Sequence, residues 1–171
     1  MTWSRVWRVT TGVALLCVPV LMVAVRMNIS MGWIFAFVFI YGAPLWLGSA
    51  AVLVWITLGL FTPGSAVETA APLPRRLLYG LLWLYLATLS FFCLFMSDGG
   101  DADDWQSPAG HFLGVDGYNS STPEYLRQAE AAAFPSLVVS WAALLAAAIT
   151  YGVIVARNRR TRARSLSASA R

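Results

Sequence analysis

The residues best suited to chemistry lie in one segment. Asp98, Asp101, Asp103 and Asp104 place four carboxylates within seven positions, and Trp105 follows them. Clustered carboxylates are ligands that Ca²⁺ prefers, but the calcium-loop pattern is absent. Trp105 stands where that pattern needs glycine, and no glutamate follows at the bidentate position. We therefore interpret the cluster as a solvated acidic turn.

The other metal-binding and redox-active side chains are few and scattered. His111 is the only histidine, and Asp116 is its nearest downstream acid, which is a weak pattern for zinc. Cys17 and Cys93 fall in different apolar runs and form no C-x-x-C pair. Counted from the ends of those runs, their depths differ by about 10 Å, too far for a disulfide. We predict two free, buried thiols, no metal site and no cofactor.

Four long apolar runs dominate the chain, which is 58% hydrophobic and 12% charged. A helix needs about 20 apolar residues to cross a bilayer, and lipid offers no partners for unpaired backbone groups. The sequence therefore predicts an all-α integral membrane protein, a four-transmembrane-helix bundle. The predicted spans are residues 9–25, 33–55 or 33–61, 77–97 and 135–156.

Charge is sorted between the two sides of these runs. Ten of the twelve arginines flank them on one side, and seven of the eight acidic residues lie on the other. By the positive-inside rule, both termini are predicted to be cytoplasmic in the cell (plasma) membrane, with residues 157–171 as a basic tail. Because arginines that flank apolar runs act as topology signals, we expect no nucleic-acid partner. Arginine without lysine suggests a bacterial source. The arginines assigned to topology and lipid headgroup contact are Arg75, Arg76, Arg157, Arg159, Arg160, Arg162 and Arg164.

The second run is longer than one crossing requires. Trp33 and Trp55 are 22 residues apart, about 33 Å along a helix, which fits one aromatic residue at each interface. Pro44 is predicted to kink the outer half of this helix.

Within the predicted spans there is no Asp, Glu, Lys, Arg or His, and Arg26 is placed just beyond the end of the first. Proton relays and ion-coupled transporters usually depend on an ionisable group at depth. The predicted spans therefore contain no evident residue for proton relay or ion-coupled transport. The Ser and Thr side chains of the spans are interpreted as packing groups.

The long connection, residues 98–133, is predicted to be extracytoplasmic and to hold a short helix over 123–133. Ser121 and Glu124 have the spacing of a capping box, and Pro123 suits the first turn. This helix is expected to rest on the outer membrane surface or cap the bundle, or to bind a partner. The candidate partner-binding residues are Asp101, Asp103, Asp104, Trp105, Tyr125 and Leu126.

These observations favour a small non-enzymatic membrane protein. The leading hypothesis is an accessory subunit of a larger complex or a protective, immunity-type partner, which binds another membrane or extracytoplasmic protein. The alternative is a homo-oligomeric pore or uncoupled transporter lined by Ser, Thr and the backbone at the Pro44 kink. The lipid bilayer is a further expected partner, and a homo-oligomer is also compatible with the sequence.

Overall fold

The structure, a computed structural model, describes residues 3–29, 32–98, 106–115 and 122–169. All regular secondary structure in these ranges is helical. The helices are α1 (Trp3–Ile29), α2 (Trp33–Tyr41), α3 (Ala43–Phe61), α4 (Ala66–Thr69), α5 (Pro72–Phe95), α6 (Pro108–Phe112) and α7 (Glu124–Ser169).

Four of these helices are long and apolar enough to cross a membrane, namely α1, α3, α5 and α7. This confirms an all-helical membrane protein with four candidate spans. Helix α7 packs mainly against α5, and α1 packs against both α5 and α3.

Helix α5 is the centre of the bundle, since it packs against both α1 and α7. Its buried positions recur every three or four residues, as expected for a helix with one buried face. Leu82, Leu86 and Leu89 are almost fully buried, as are Phe92 and Cys93. On α7, Ala143 and Ala147 are buried one turn apart. Small residues at this spacing let two helices approach closely in a membrane.

The second apolar run is interrupted rather than continuous. Helix α2 ends at Tyr41, Gly42 is non-helical, and α3 begins at Ala43. Pro44 has no backbone N–H, and its ring disfavours a regular helical turn ahead of it. The predicted kink is therefore a break between two helices. Across it, the indole N–H of Trp46 donates to the Val38 carbonyl at 3.2 Å.

Helix α7 is longer than the predicted fourth span. It begins at Glu124, continues through Pro135 and ends at Ser169. The segment predicted to form a short helix, residues 123–133, is helical from Glu124 onward. It is the first part of α7 and not a separate helix. The Ser136 hydroxyl donates to the carbonyl of Ala133 in its own helix at 2.6 Å. The short helix α6 was not predicted.

The bundle has two chemically different ends. At the arginine end, Arg8 on α1 pairs with Glu68 on α4 at 2.6 Å, and Arg162 on α7 donates to the Gly64 carbonyl at 3.2 Å. The start of α1, the α3–α5 connection and the last part of α7 therefore lie together. The opposite end, named here the Asp98 end, contains Arg26, the start of α2 and the residues that follow α5.

Candidate functional site

A buried ion pair joins two chain segments at the Asp98 end. Arg26 Nη2 lies 3.2 Å from Asp98 Oδ2, and neither side chain has any exposed surface. Arg26 also donates to the Met96 carbonyl, and its guanidinium lies 5.5 Å from the centre of the Phe35 ring. The last turns of α1 are thereby fixed to the end of α5.

Asp98 also caps helix α2. Its Oδ1 accepts the backbone N–H of Ile34 at 3.0 Å, and its Oδ2 accepts that of Phe35 at 2.7 Å. These N–H groups have no partner within the helix, and a carboxylate is favoured at this positive end of the helix dipole. One carboxylate thus holds α1, α2 and α5 together.

This pair corrects two expectations from the sequence. Arg26 is a fully buried residue of α1, not a residue beyond a span end. Asp98 is not part of a solvated turn, because its side chain is fully buried. Burial of either charge alone costs several kcal/mol, so each is retained in the interior only because the other compensates it.

The segment after Asp98 is anchored to the bundle by further polar contacts. The backbones of Asp98 and Gln106 exchange two hydrogen bonds, at 3.2 and 3.3 Å. Ser107, also fully buried, donates its hydroxyl to Glu130 Oε1 at 2.7 Å and accepts the Gly110 N–H at 3.0 Å. The N-cap of α6 is therefore tied to α7 by one side-chain hydrogen bond, and the helix itself packs against α5 and α1.

This anchored segment presents apolar side chains on its outer surface. Phe112 is 63% exposed, Leu113 is 55% exposed and Tyr125 is 63% exposed. Leu126, in contrast, is 1% exposed and belongs to the protein's own packing. We name Phe112, Leu113 and Tyr125 together the apolar patch, as the exposed apolar side chains of α6, its C-cap and the first turn of α7.

Of the predicted partner-binding residues, only Tyr125 and Leu126 fall within the described part of the chain. Asp101, Asp103, Asp104 and Trp105 lie outside it, so their role stays a prediction. Asp116 is outside it too, and His111 is exposed. Among the described residues, no three His, Cys, Asp or Glu side chains come together as metal ligands.

The two cysteines occupy different environments. Both are free; Cys93 is buried as predicted, whereas Cys17 is exposed on the surface of α1. Cys93 therefore packs as a small apolar group in the core, and Cys17 lies on the outer surface of α1.

At the arginine end, most cations are exposed, including Arg76 and the five arginines between 157 and 164. Glu68 is the only acidic residue in the sequence near them. Two hydrogen bonds lower the pKa of Glu68 below its ordinary value. The bond from Arg8 has the larger effect, and the bond from the Gly64 N–H, at 3.0 Å, has the smaller. Arg75 lies near the Glu68 carbonyl, with Nη1 at 3.5 Å from the oxygen.

No protein-family model matches the chain, and no curated protein or solved structure is significantly similar to it.

Proposed function

We propose that the chain is a non-enzymatic membrane protein that acts by binding, as an accessory subunit of a larger complex or as a protective, immunity-type partner. The observation that carries this proposal is the apolar patch of Phe112, Leu113 and Tyr125. Large apolar side chains left exposed at one end of a helical bundle, here on α6, its C-cap and the first turn of α7, often mark an interface. The contacts of Asp98 and Ser107 support a preformed surface, which lowers the entropy lost on binding.

The charge sorting supports an orientation with both termini in the cytoplasm of a plasma-membrane protein, which places the apolar patch outside. Single cysteines at Ala102 and Ser167, in a background without Cys17 and Cys93, test this arrangement. An impermeant thiol reagent added to intact cells should label position 102 and leave position 167 unlabelled. The reverse pattern would show the opposite orientation.

The binding function is tested by affinity purification of the tagged protein in native lipids, followed by mass spectrometry. The variant carries Phe112→Ser, Leu113→Ser and Tyr125→Ser together. Its control is Leu73→Ser, which also removes an exposed apolar side chain, 78% exposed, but at the arginine end. The wild-type protein and the control should retain a stoichiometric partner that the triple variant loses. A partner retained by the triple variant, or no partner with the wild-type protein, would overturn the proposal.

The pore or uncoupled-transporter hypothesis receives less support. The hydroxyl groups of Thr88, Ser140 and Thr150 donate to carbonyls of their own helices, at 2.7 to 2.8 Å. Such bonds satisfy these groups within the bundle and do not favour a path for water or ions. Flux through liposomes containing only this protein would reverse the preference.

A further inference from the structure

A cavity of 520 Å³ opens at the arginine end, between the last part of α3, the turn that follows it and α7. Tyr151 lines it, and a Cβ atom placed at Gly59 would lie 1.7 Å from the Tyr151 hydroxyl oxygen. Trp55 packs edge-on against Tyr151, with 4.7 Å between ring centres. Tyr151 and two arginines of α7 therefore line the same cavity. Its polar lining includes Ser65, Tyr151, Asn158, Arg159 and Arg162.

Arg159 and Arg162 supply positive charge to this cavity from one face of α7, since residues three apart are neighbours on a helix. Within the described residues, neither guanidinium forms an ion pair. The cavity next to it, on the other side of Gly64, differs in this respect. There Arg8 is paired with Glu68. The first cavity therefore presents two guanidinium groups and has no carboxylate among its described lining residues.

The turn supplies a further polar group. The Ser65 hydroxyl oxygen is inaccessible to solvent and has no hydrogen-bond partner, although Ser65 lines the cavity. Ser65 also precedes α4 without donating or accepting a capping bond through its side chain. A buried hydroxyl without a partner costs free energy, and rotation of the Ser65 side chain toward the cavity would let an oxygen-bearing ligand recover it.

Two guanidinium groups with nearby hydroxyl and amide donors match the chemistry of a phosphate group. Arginine binds phosphate through charge-assisted, often bidentate hydrogen bonds. We propose that this cavity binds a phosphate group. The cavity lies where the apolar part of α3 ends, and an aromatic pair such as Trp55 and Tyr151 is typical of the membrane interface. An anionic phospholipid headgroup is accordingly the first source to test, and free phosphate is the second.

The test compares two variants with the same loss of charge. Arg159→Gln/Arg162→Gln removes the cavity's cations, whereas Arg160→Gln/Arg164→Gln removes two arginines of the same helix that do not line it. Glutamine is a good helix former, so α7 should persist in both. Each protein is released from nanodiscs containing phosphatidylglycerol and examined by native mass spectrometry for retained lipid. A second series titrates inorganic phosphate into the protein in a neutral detergent.

The wild-type protein and Arg160→Gln/Arg164→Gln should retain phosphatidylglycerol, and Arg159→Gln/Arg162→Gln should bind it about tenfold more weakly or worse. Saturable binding of inorganic phosphate alone, lost in the same variant, would confirm the site and assign its ligand to free phosphate. Equal losses in the two variants would show general surface attraction and overturn the proposal. Absence of both ligands from the wild-type protein would also overturn it.

Discussion

The Arg26–Asp98 pair predicts a strong coupling between two substitutions. Asp98→Asn leaves Arg26 buried without a counter-charge, which costs about 3–5 kcal/mol. It also weakens one of the two caps on α2, because an amide offers one acceptor oxygen where the carboxylate offers two. Leaving one backbone N–H unsatisfied adds about 1–3 kcal/mol. Arg26→Met should cost less than Asp98→Asn, since Asp98 would keep the N–H groups of Ile34 and Phe35.

The double variant Arg26→Met/Asp98→Asn removes both charges and should lose one cap bond and the Arg26 bond to the Met96 carbonyl, each worth about 1–3 kcal/mol. It should therefore be more stable than Asp98→Asn alone. The free energy of unfolding is measured by titrating SDS into the protein in a mild detergent. The exposed Arg127–Glu124 pair is the control cycle, and its coupling should stay below about 1 kcal/mol. If the effects at Arg26 and Asp98 simply add, the pair does not act as a compensated unit and the reasoning is refuted.

Two further predictions concern the arginine end. Gly59→Ala should destabilise the protein by about 1–3 kcal/mol, because the new methyl group would lie 1.7 Å from the Tyr151 hydroxyl oxygen. Tyr151→Phe should restore part of this loss in thermal unfolding, whereas Gly80→Ala, with open space around it, should not destabilise. The lowered pKa of Glu68 means that its contribution to stability is present near neutral pH and is lost as pH falls below about 4.3. The stability difference between the wild-type protein and Glu68→Gln should shrink between pH 7 and pH 3. A constant difference would show that Arg8 does not act on the charged carboxylate.

The four spanning helices could be predicted from the sequence because the length of an apolar run is a direct consequence of bilayer thickness. The gathering of the arginines at one end followed from the same reasoning, since four antiparallel spans bring alternate connections together. The break at Gly42 was predicted in part. Pro44 indicated a disturbed helix, but whether a proline bends a helix or ends it depends on packing that the local sequence does not contain.

The ion pair was missed because each residue was interpreted from its own neighbourhood. Arg26 follows an apolar run and Asp98 begins an acidic one, so both resembled the solvated ends of spans. Their partnership spans 72 positions and depends on α1 and α5 lying side by side. One signal was present in the sequence: Arg26 is one of only two arginines on the acidic side of the spans. An arginine that follows an apolar run, and that lies apart from the other arginines, indicates a buried acidic partner.

One ion pair is buried at the Asp98 end of the bundle, whereas most charges in the described part of the arginine end are exposed and unpaired. This difference determines which kind of ligand each end can bind. At the Asp98 end, the charges of Arg26 and Asp98 are neutralised internally, and the same contacts hold in place a segment that exposes Phe112 and Leu113. That surface can recognise another protein without removing a charge from water, which keeps the desolvation cost low. At the arginine end, Arg159 and Arg162 have no acidic partner within the described residues, so their charges favour an anion from outside the chain. Recognition at the first end should consequently depend little on salt. Phosphate binding at the second should weaken as ionic strength rises, because exposed charges are screened beyond about 8 Å at physiological salt.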